Sequence, residues 1–288
     1  MRSQRLDVDA IIKKAKQLPS PPLVLSRVMA LMADDNRSRS DVVRVIEVDA
    51  AFTAQVLRTV NSAAYRRARK INSIPEAISM LGESELVKIV VRRAAAVIDK
   101  PDLTGYGLED HGLWRNSLRI ALAADAVAWS TGTVSSSVAY TAGLLADVGK
   151  LALGTFLADR VDEVMDWQLA NPGSQFVEAE RAVLGLDHAE LGALMVEDWG
   201  LPEDVINAIR YHHRPVDSGE HSVLAYTIHV ADAVASMVGG VQGIDGLWYS
   251  LDPYWTEVID LGLGQFEGLV DDVRSLSDGV EQQLKRTG

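Results

Sequence analysis

Two charged side chains, Asp147 and Lys150, interrupt an otherwise apolar run: residues 140–153 read YTAGLLADVGKLAL. The apolar positions recur three and four apart, and the spacing predicts one helix over roughly 135–156. A carboxylate in such a helix is costly unless it is paired. Lys150, three residues on, offers one partner as an exposed ion pair. Asp232 stands in the same position in IHVADAVASMV (residues 228–238). Two lone acids in two apolar helices suggest a second possibility, a polar pocket that both share.

Outward from this stretch, helical periodicity continues. Residues 23–32 place Leu23, Leu25, Val28, Met29 and Met32 mostly three or four apart, and 41–60 repeat the pattern with Val42, Val45, Ile46, Phe52, Val56, Leu57 and Val60. Residues 84–98 open on Ser84 as N-cap. Further helices are predicted near 109–130, 159–170, 175–184, 188–198, 202–213 and 221–238, with a last helical segment over 253–285. The β-branched run VVRVIEV could pass for a strand, but its flanks keep the helical period. Strand signals are otherwise almost absent, so the fold class is all-α. KPDLTGYG (100–107) carries a Pro and two Gly and reads as a joint. The chain therefore divides into an N-terminal helical subdomain, 1–105, and a second, 106–288, with a C-terminal helical extension beyond the Gly-rich GGVQGIDG (239–246).

The bulk figures narrow the function. With 288 residues, 48% of them hydrophobic, the chain can bury a sizeable core. A net charge of −12 and a pI near 4.9 disfavour nucleic acid and anionic membrane surfaces. The absence of cysteine excludes disulfides, thiol nucleophiles and zinc–thiolate sites. The N-terminus lacks a signal-peptide apolar core, and no run of about 18 apolar residues is present. A cytoplasmic location is expected.

Histidines concentrate in the second half, with His188, His212, His213 and His221 close together and His229 just beyond. Imidazole and carboxylate without thiol suit Mn, Fe, Zn or Mg, ions that activate water for phosphate-ester hydrolysis. A plainer reading stands beside each. Asp187 is placed to N-cap a helix that His188 begins. His212 and His213 end a helix, where imidazolium suits the dipole. The basic run Arg66, Arg67, Arg69 and Lys70 could take a phosphate, a nucleotide or an acidic partner, joined by Arg92 and Arg93. It reads equally as a solvated loop. Trp248, Tyr249, Tyr254 and Trp255 could form an interface or pack the C-terminal helix onto the body. Trp114, Trp129, Trp167 and Trp199 read as core.

GLLADVGKLAL resembles the signature helix of the HD superfamily, which carries His-Asp before the Gly-Lys. The flanking sequence resembles a specific branch, the HDOD proteins (HD-related output domain). NSAAY (61–65), SIPEAISMLG (73–82) and WGLPEDVINAIRYHH (199–213) carry that resemblance by their order and spacing, and it spans most of the chain, from LPSPPLVLSRVMALM to HVADAVA. It implies an HDOD-type helical bundle with an HD-like core in the C-terminal half. HD enzymes bind metal through a first His, the His-Asp pair and a distal Asp, with extra histidines in two-metal members. By the resemblance the first His position is Asn116, the pair is Ala146 and Asp147, the extra histidines are His188 and His212 or His213, and the distal Asp is Asp232. Two of the four core ligands are thus replaced, one by an amide and one by a methyl group.

The resemblance implies a bacterial signal-transduction or regulatory module with a degenerate metal site, neither an enzyme nor a holder of a cofactor or resident metal. It would work through a signalling protein partner, with a small nucleotide ligand as a further option. The surviving polar residues could form a metal-free network or still hold one structural ion. Two other functions stay open: a weak metal-dependent phosphohydrolase acting on a nucleotide or cyclic dinucleotide, and a nucleotide or nucleic-acid sensor using residues 66–70.

Overall fold

The computed structural model describes residues 8–19, 21–32, 34, 36–62, 65, 70–96, 103–108, 111–238 and 243–287. Among these the chain is all-α, and the one β feature is an isolated bridge between Leu103 and Leu108. The N-terminal helices are α1 (Val8–Ala15), α2 (Val24–Met32), α3 (Arg39–Glu47), α4 (Ala50–Val60), α5 (Ile74–Leu81) and α6 (Glu83–Ala95). The second half follows with α7 (Gly112–Thr131), α8 (Ser136–Leu145), α9 (Lys150–Ala158), α10 (Val161–Ala170), α11 (Phe176–Leu184), α12 (His188–Asp198), α13 (Glu203–Tyr211) and α14 (Ser222–Val238). A short α15 (Trp255–Val258) and the long α16 (Leu263–Thr287) close the chain.

Several boundaries differ from the periodicity for local reasons. The span 41–60 is two helices, because Asp49 turns extended and its side chain accepts the Phe52 N–H at 2.9 Å, capping α4. Ser84 does not cap α6. Gly82 does, at φ 86, a left-handed value that glycine adopts without strain. The predicted 135–156 helix breaks at 146–149 into α8 and α9. Asp147 therefore lies in a turn between two helices rather than inside one. Residues 253–285 likewise divide into α15 and α16.

Buried apolar side chains form one continuous cluster from Ile11 to Val273. Helix α7 lies at the middle of the second half, packed on α8, α14 and α16, and α6 joins the N-terminal helices to it through α8. The stretch 136–158 is apolar enough to resemble a membrane span, yet 83% of its most apolar window is buried inside the fold. It is a core element holding a buried ion pair at its centre. Trp114, Trp167 and Trp199 pack against the core, whereas Trp129 is 83% exposed near the C-terminal end of α7 and is not a core residue.

Candidate functional site

The turn at 146–149 rides directly on the start of α12. A Cβ added at Gly149 would lie 2.0 Å from the carbonyl oxygen of His188 and 2.6 Å from the amide nitrogen of Gly192, so only glycine permits this approach. Asp187 caps α12 by accepting the Glu190 N–H at 2.7 Å, which fixes His188 at the first helical position. Together these features bring Asp147 beside His188. The predicted Asp147–Lys150 pair forms at 2.9 Å, but it is buried: the side chains are 2% and 5% exposed.

On one side of Asp147 stand three imidazoles. His188 Nε2 is 3.4 Å and His212 Nε2 4.0 Å from Asp147 Oδ1, and His188 Nε2 is 3.0 Å from His213 Nε2. The His188 ring is held from behind by Glu180 on α11. Its Nδ1 donates to Glu180 Oε2 at 2.8 Å, and its backbone N–H reaches the same oxygen at 3.0 Å. Tyr106 OH donates to Glu180 Oε1 at 2.5 Å. Burial opposes a charge on His188, yet the Glu180 carboxylate and the hydrogen bonds to Asp147 and Glu180 lift it to about 10. His188 is therefore imidazolium at neutral pH. Burial and the neighbouring His188 charge push His212 down to about 4, and burial with both neighbours keeps His213 well below the usual range. Both are neutral, which corrects the reading of them as helix-terminal imidazolium. The close His188–His213 contact is then an Nε2–H donating to a neutral Nε2.

On the other side the donors are sparse. Ala146 is fully buried and offers a methyl group. Asn116 on α7 donates its Nδ2 to Asp147 Oδ2 at 3.3 Å. Lys150 Nζ bridges from Asp147 to Asp245 Oδ2 at 2.6 Å and lies 5.5 Å from the centre of the Tyr106 ring. Asp147 suffers the upward push of burial, but the Lys150 charge, the His188 hydrogen bond and charge, and His212 hold it well below the ordinary carboxylate range. Asp232 on α14 meets burial and the Asp147 charge and is pushed up to about 8. Asn116, Lys150, Asp232, Asp245, Trp248 and Tyr249 line one cleft with His188 and His213.

The structure thus brings together Asn116, Ala146, Asp147, His188, His212, His213 and Asp232. His229 belongs to the scaffold: its Nδ1 donates to the His212 carbonyl at 2.7 Å and its Nε2 accepts the Asp252 N–H at 2.8 Å. Arg66, Arg67 and Arg69 lie outside the described residues, and Lys70 is exposed. Arg92 donates to the Tyr65 hydroxyl at 3.1 Å and so serves the N-terminal packing. The aromatic cluster divides: Trp255 packs on Phe266 under α16, Trp248 stacks on Phe176, Tyr254 is exposed, and Tyr249 faces His213 and His229. Sequence reasoning missed Glu180, Tyr106 and Asp245. Glu180 carried a signal, since it lies four residues from both Phe176 and Leu184 on the apolar face of its helix. Asp245 carried none.

Once His188 gives up its Nε2 proton, the donor set at Asp147, His188, His212 and His213 fits a single divalent transition-metal ion. One ligand atom from each lies within 4.8 Å of the others. His212 Nε2 is buried with no hydrogen-bond partner, and its Nδ1 is already committed to the Ile209 carbonyl at 2.7 Å. Glu180 behind His188 is the kind of carboxylate that orients a metal-ligating imidazole. On the opposite side Ala146 has no donor, and the Lys150 ammonium lies against Asp147 and Asp245.

A helical bundle with a cleft built on an Asp-x-x-Lys turn, a ring of histidines and a distal Asp is an HD-like protein. Residues 18–215 match the HDOD domain family, and the chain belongs to it. It is similar to an HDOD domain protein of unknown function from Geobacter sulfurreducens, with a TM-score of 0.67 and 25% identity over 94% of this chain and 98% of that one. A candidate signal-transduction protein from Marinobacter aquaeolei VT8 shares the fold at a TM-score of 0.73 and 24% identity, covering 98% of this chain and 61% of its own. A candidate phosphohydrolase from Shewanella amazonensis SB2B does so at 0.66 and 21%, covering 95% and 97%. An uncharacterized protein of Treponema pallidum (strain Nichols) is 25% identical over 233 residues, 80% of this chain and 44% of that protein. The chain therefore spans less than half of that relative's length.

Proposed function

We propose that the chain is a non-catalytic, cytoplasmic signal-transduction module that acts through contacts with a protein partner. The observation that carries this reading is the state of Asp147. The family's ligand carboxylate is already engaged by the chain's own donors, Asn116 Nδ2 at 3.3 Å and Lys150 Nζ at 2.9 Å, beside a buried methyl at position 146. Phosphoester hydrolysis by two-metal sites needs both ions to clamp the attacking and leaving oxygens, and by the resemblance one half of that clamp has lost two of its four ligands here. The name of the Marinobacter protein agrees with a signalling role. The purified chain, supplied in turn with Mn, Fe, Zn and Mg, is expected to leave a panel of nucleotides and cyclic dinucleotides intact. Turnover that disappears in Asp147→Ala would overturn the reading.

A second reading, a weak metal-dependent phosphohydrolase, is favoured by one specific observation: the buried, partnerless Nε2 of His212 among three imidazoles and a carboxylate. A divalent ion there would supply a Lewis acid and a water of lowered pKa. Glu180 would hold the His188 ring in register, and Lys150 would sit close enough to pair with an anionic oxygen. The name of the Shewanella protein agrees with this option. The same hydrolysis panel decides between the two.

A further inference from the structure

The cleft is closed from outside by the chain's own C-terminal extension. We propose that residues 243–251 form an autoinhibitory strap over the cleft, and that Asp245 holds the place at Lys150 Nζ that an incoming oxyanion would take. The inference rests on the reading of this cleft as the working site of a signalling module, and it names how that site is regulated.

Three features carry it. The first is position. Asp245, Gly246, Trp248 and Tyr249 line the cleft together with Lys150 and His213. Asp245 Oδ2 accepts from Lys150 Nζ at 2.6 Å, and Trp248 stacks on Phe176 with ring centroids 6.0 Å apart. Of the three clustered imidazoles only His213 is partly exposed, and the Tyr249 ring lies 5.8 Å from it. The segment therefore covers both the cation and the most accessible imidazole.

The second feature is attachment. No residue of the 3-10 turn at Ile244–Trp248 is fully buried, and Leu247 is 76% exposed. Ile244, Trp248, Tyr249 and Leu251 pack on the core only half-buried. At Asp252 the chain is pinned again: its backbone N–H donates to His229 Nε2 at 2.8 Å, and its Oδ1 accepts from the Tyr226 hydroxyl at 3.1 Å. A segment with shallow packing that ends on a fixed point opens locally, at far less cost than global unfolding.

The third feature is charge. Lys150 and the His188 imidazolium face the Asp147 and Glu180 carboxylates, two charges against two. Asp232 holds its proton at neutral pH and does not enter that balance. Asp245 is the carboxylate in excess, and it comes from beyond the family match, which ends at residue 215. An oxyanion added to the closed cleft would bring one more negative charge into buried surroundings, which is costly. An oxyanion that displaces Asp245 takes over its ammonium and adds no uncompensated charge.

The test uses the full chain with inorganic phosphate as probe, its binding read by phosphorus NMR and the strap by amide hydrogen exchange. A ligand that binds only the open form has its affinity scaled by the open fraction. Tyr249→Phe alters no charge; it is expected to raise the open fraction about fivefold and to tighten phosphate binding by the same factor. Asp245→Asn also removes the competing carboxylate and should tighten binding about tenfold. In the wild type, phosphate should speed exchange over residues 244–251, and Lys150→Met should bind none. Phenyl phosphate run beside inorganic phosphate tells an esterified phosphoryl group from the free anion, by which of them gains affinity in the variants. Gain by neither probe, slower exchange over the strap with phosphate present, or binding that survives Lys150→Met overturns the proposal. Should Lys150→Met fail to fold, the Tyr249→Phe and Asp245→Asn ratios still decide. Nucleotide hydrolysis by the wild type would overturn the non-catalytic reading without altering these ratios, whereas unchanged ratios with nucleotides left intact would sink the strap alone.

Discussion

The two sides of Asp147 are built differently. On the imidazole side every ring has a hydrogen-bond partner: Glu180 for His188, the Ile209 carbonyl for His212 and the His188 Nε2–H for His213. On the oxygen side Asn116 donates to Asp147 Oδ2, and Lys150 bridges Asp147 and Asp245. The difference teaches that one buried carboxylate can serve two kinds of neighbour, a set of imidazoles each braced by an outer partner and an ammonium held by a second acid.

The comparison breaks most forcefully at Asp147, which serves both sides. Asp147→Ala leaves Lys150 and a charged His188 buried without their shared carboxylate, and it should cost about 3–5 kcal/mol, read as a lowered urea midpoint. Adding Lys150→Met should recover part of that loss, since one of the two stranded charges goes with it. A double variant as unstable as the single one would show that the ammonium is not part of the balance. Glu180→Gln is the matching change on the imidazole side. It keeps the shape but withdraws the charge that His188 and Tyr106 share, and it should cost about 1–3 kcal/mol. In the same variant the His188 ring, followed by NMR titration, should lose its proton at a lower pH than in the wild type.

The pH dependence of stability sharpens the same contrast. His188 binds its proton more tightly folded, at about 10 against an ordinary value of 6.5, so its contribution is complete below about 6.5 and is lost as pH rises through about 10. Asp232, raised to about 8 from 3.8, acts in the same direction over a lower window. Asp147, lowered, acts oppositely and is felt only in acid. Urea midpoints should therefore fall steadily from about pH 6.5 to about pH 10. His188→Gln should flatten the upper part of that slope, and an unchanged slope would mean that the ring is neutral in the folded chain.

How much of this could be read from the sequence depends on the kind of signal each residue carried. The helices were legible because apolar side chains at three- and four-residue spacing must share a face. The breaks inside them were not, because Asp49 and the 146–149 turn are set by a cap and by the close approach of Gly149 to α12, contacts that spacing does not record. Asp147 and Asp232 were legible as polar residues in apolar surroundings, and His188 through the histidine clustering and the family resemblance. Glu180 was missed although, four residues from both Phe176 and Leu184, it broke the same rule. Asp245 was invisible, since an acid in a Gly-rich connection is ordinary and its partner lies 95 residues away. Trp129 shows the opposite failure: helical spacing placed it in the core, but it falls near the end of α7 where no neighbour covers it.

The smallest expected effect concerns the segment that delivers Asp245. Tyr249 OH donates to the His229 carbonyl and lies 3.0 Å from His229 Nδ1, while Trp248 stacks on Phe176 with centroids 6.0 Å apart. No residue of the 3-10 turn at Ile244–Trp248 is fully buried, and these contacts, the packing of Ile244 against the core and the Lys150 pair hold it down. Tyr249→Phe keeps the ring against His213 and removes only the hydroxyl. Because the His229 Nδ1–H is already satisfied by the His212 carbonyl, no buried donor is stranded, and the loss should be about 1 kcal/mol. That loss should appear locally, as roughly fivefold faster amide exchange over residues 244–252 with little change in global stability. Asp245→Asn should speed exchange over the same residues by a similar or larger factor, because the ion pair is the tether that reaches the site. If Tyr249→Phe loosened the segment and Asp245→Asn did not, the segment would be held by its aromatic residues alone, and the oxygen side of the cleft would have no carboxylate anchored from the C-terminal extension.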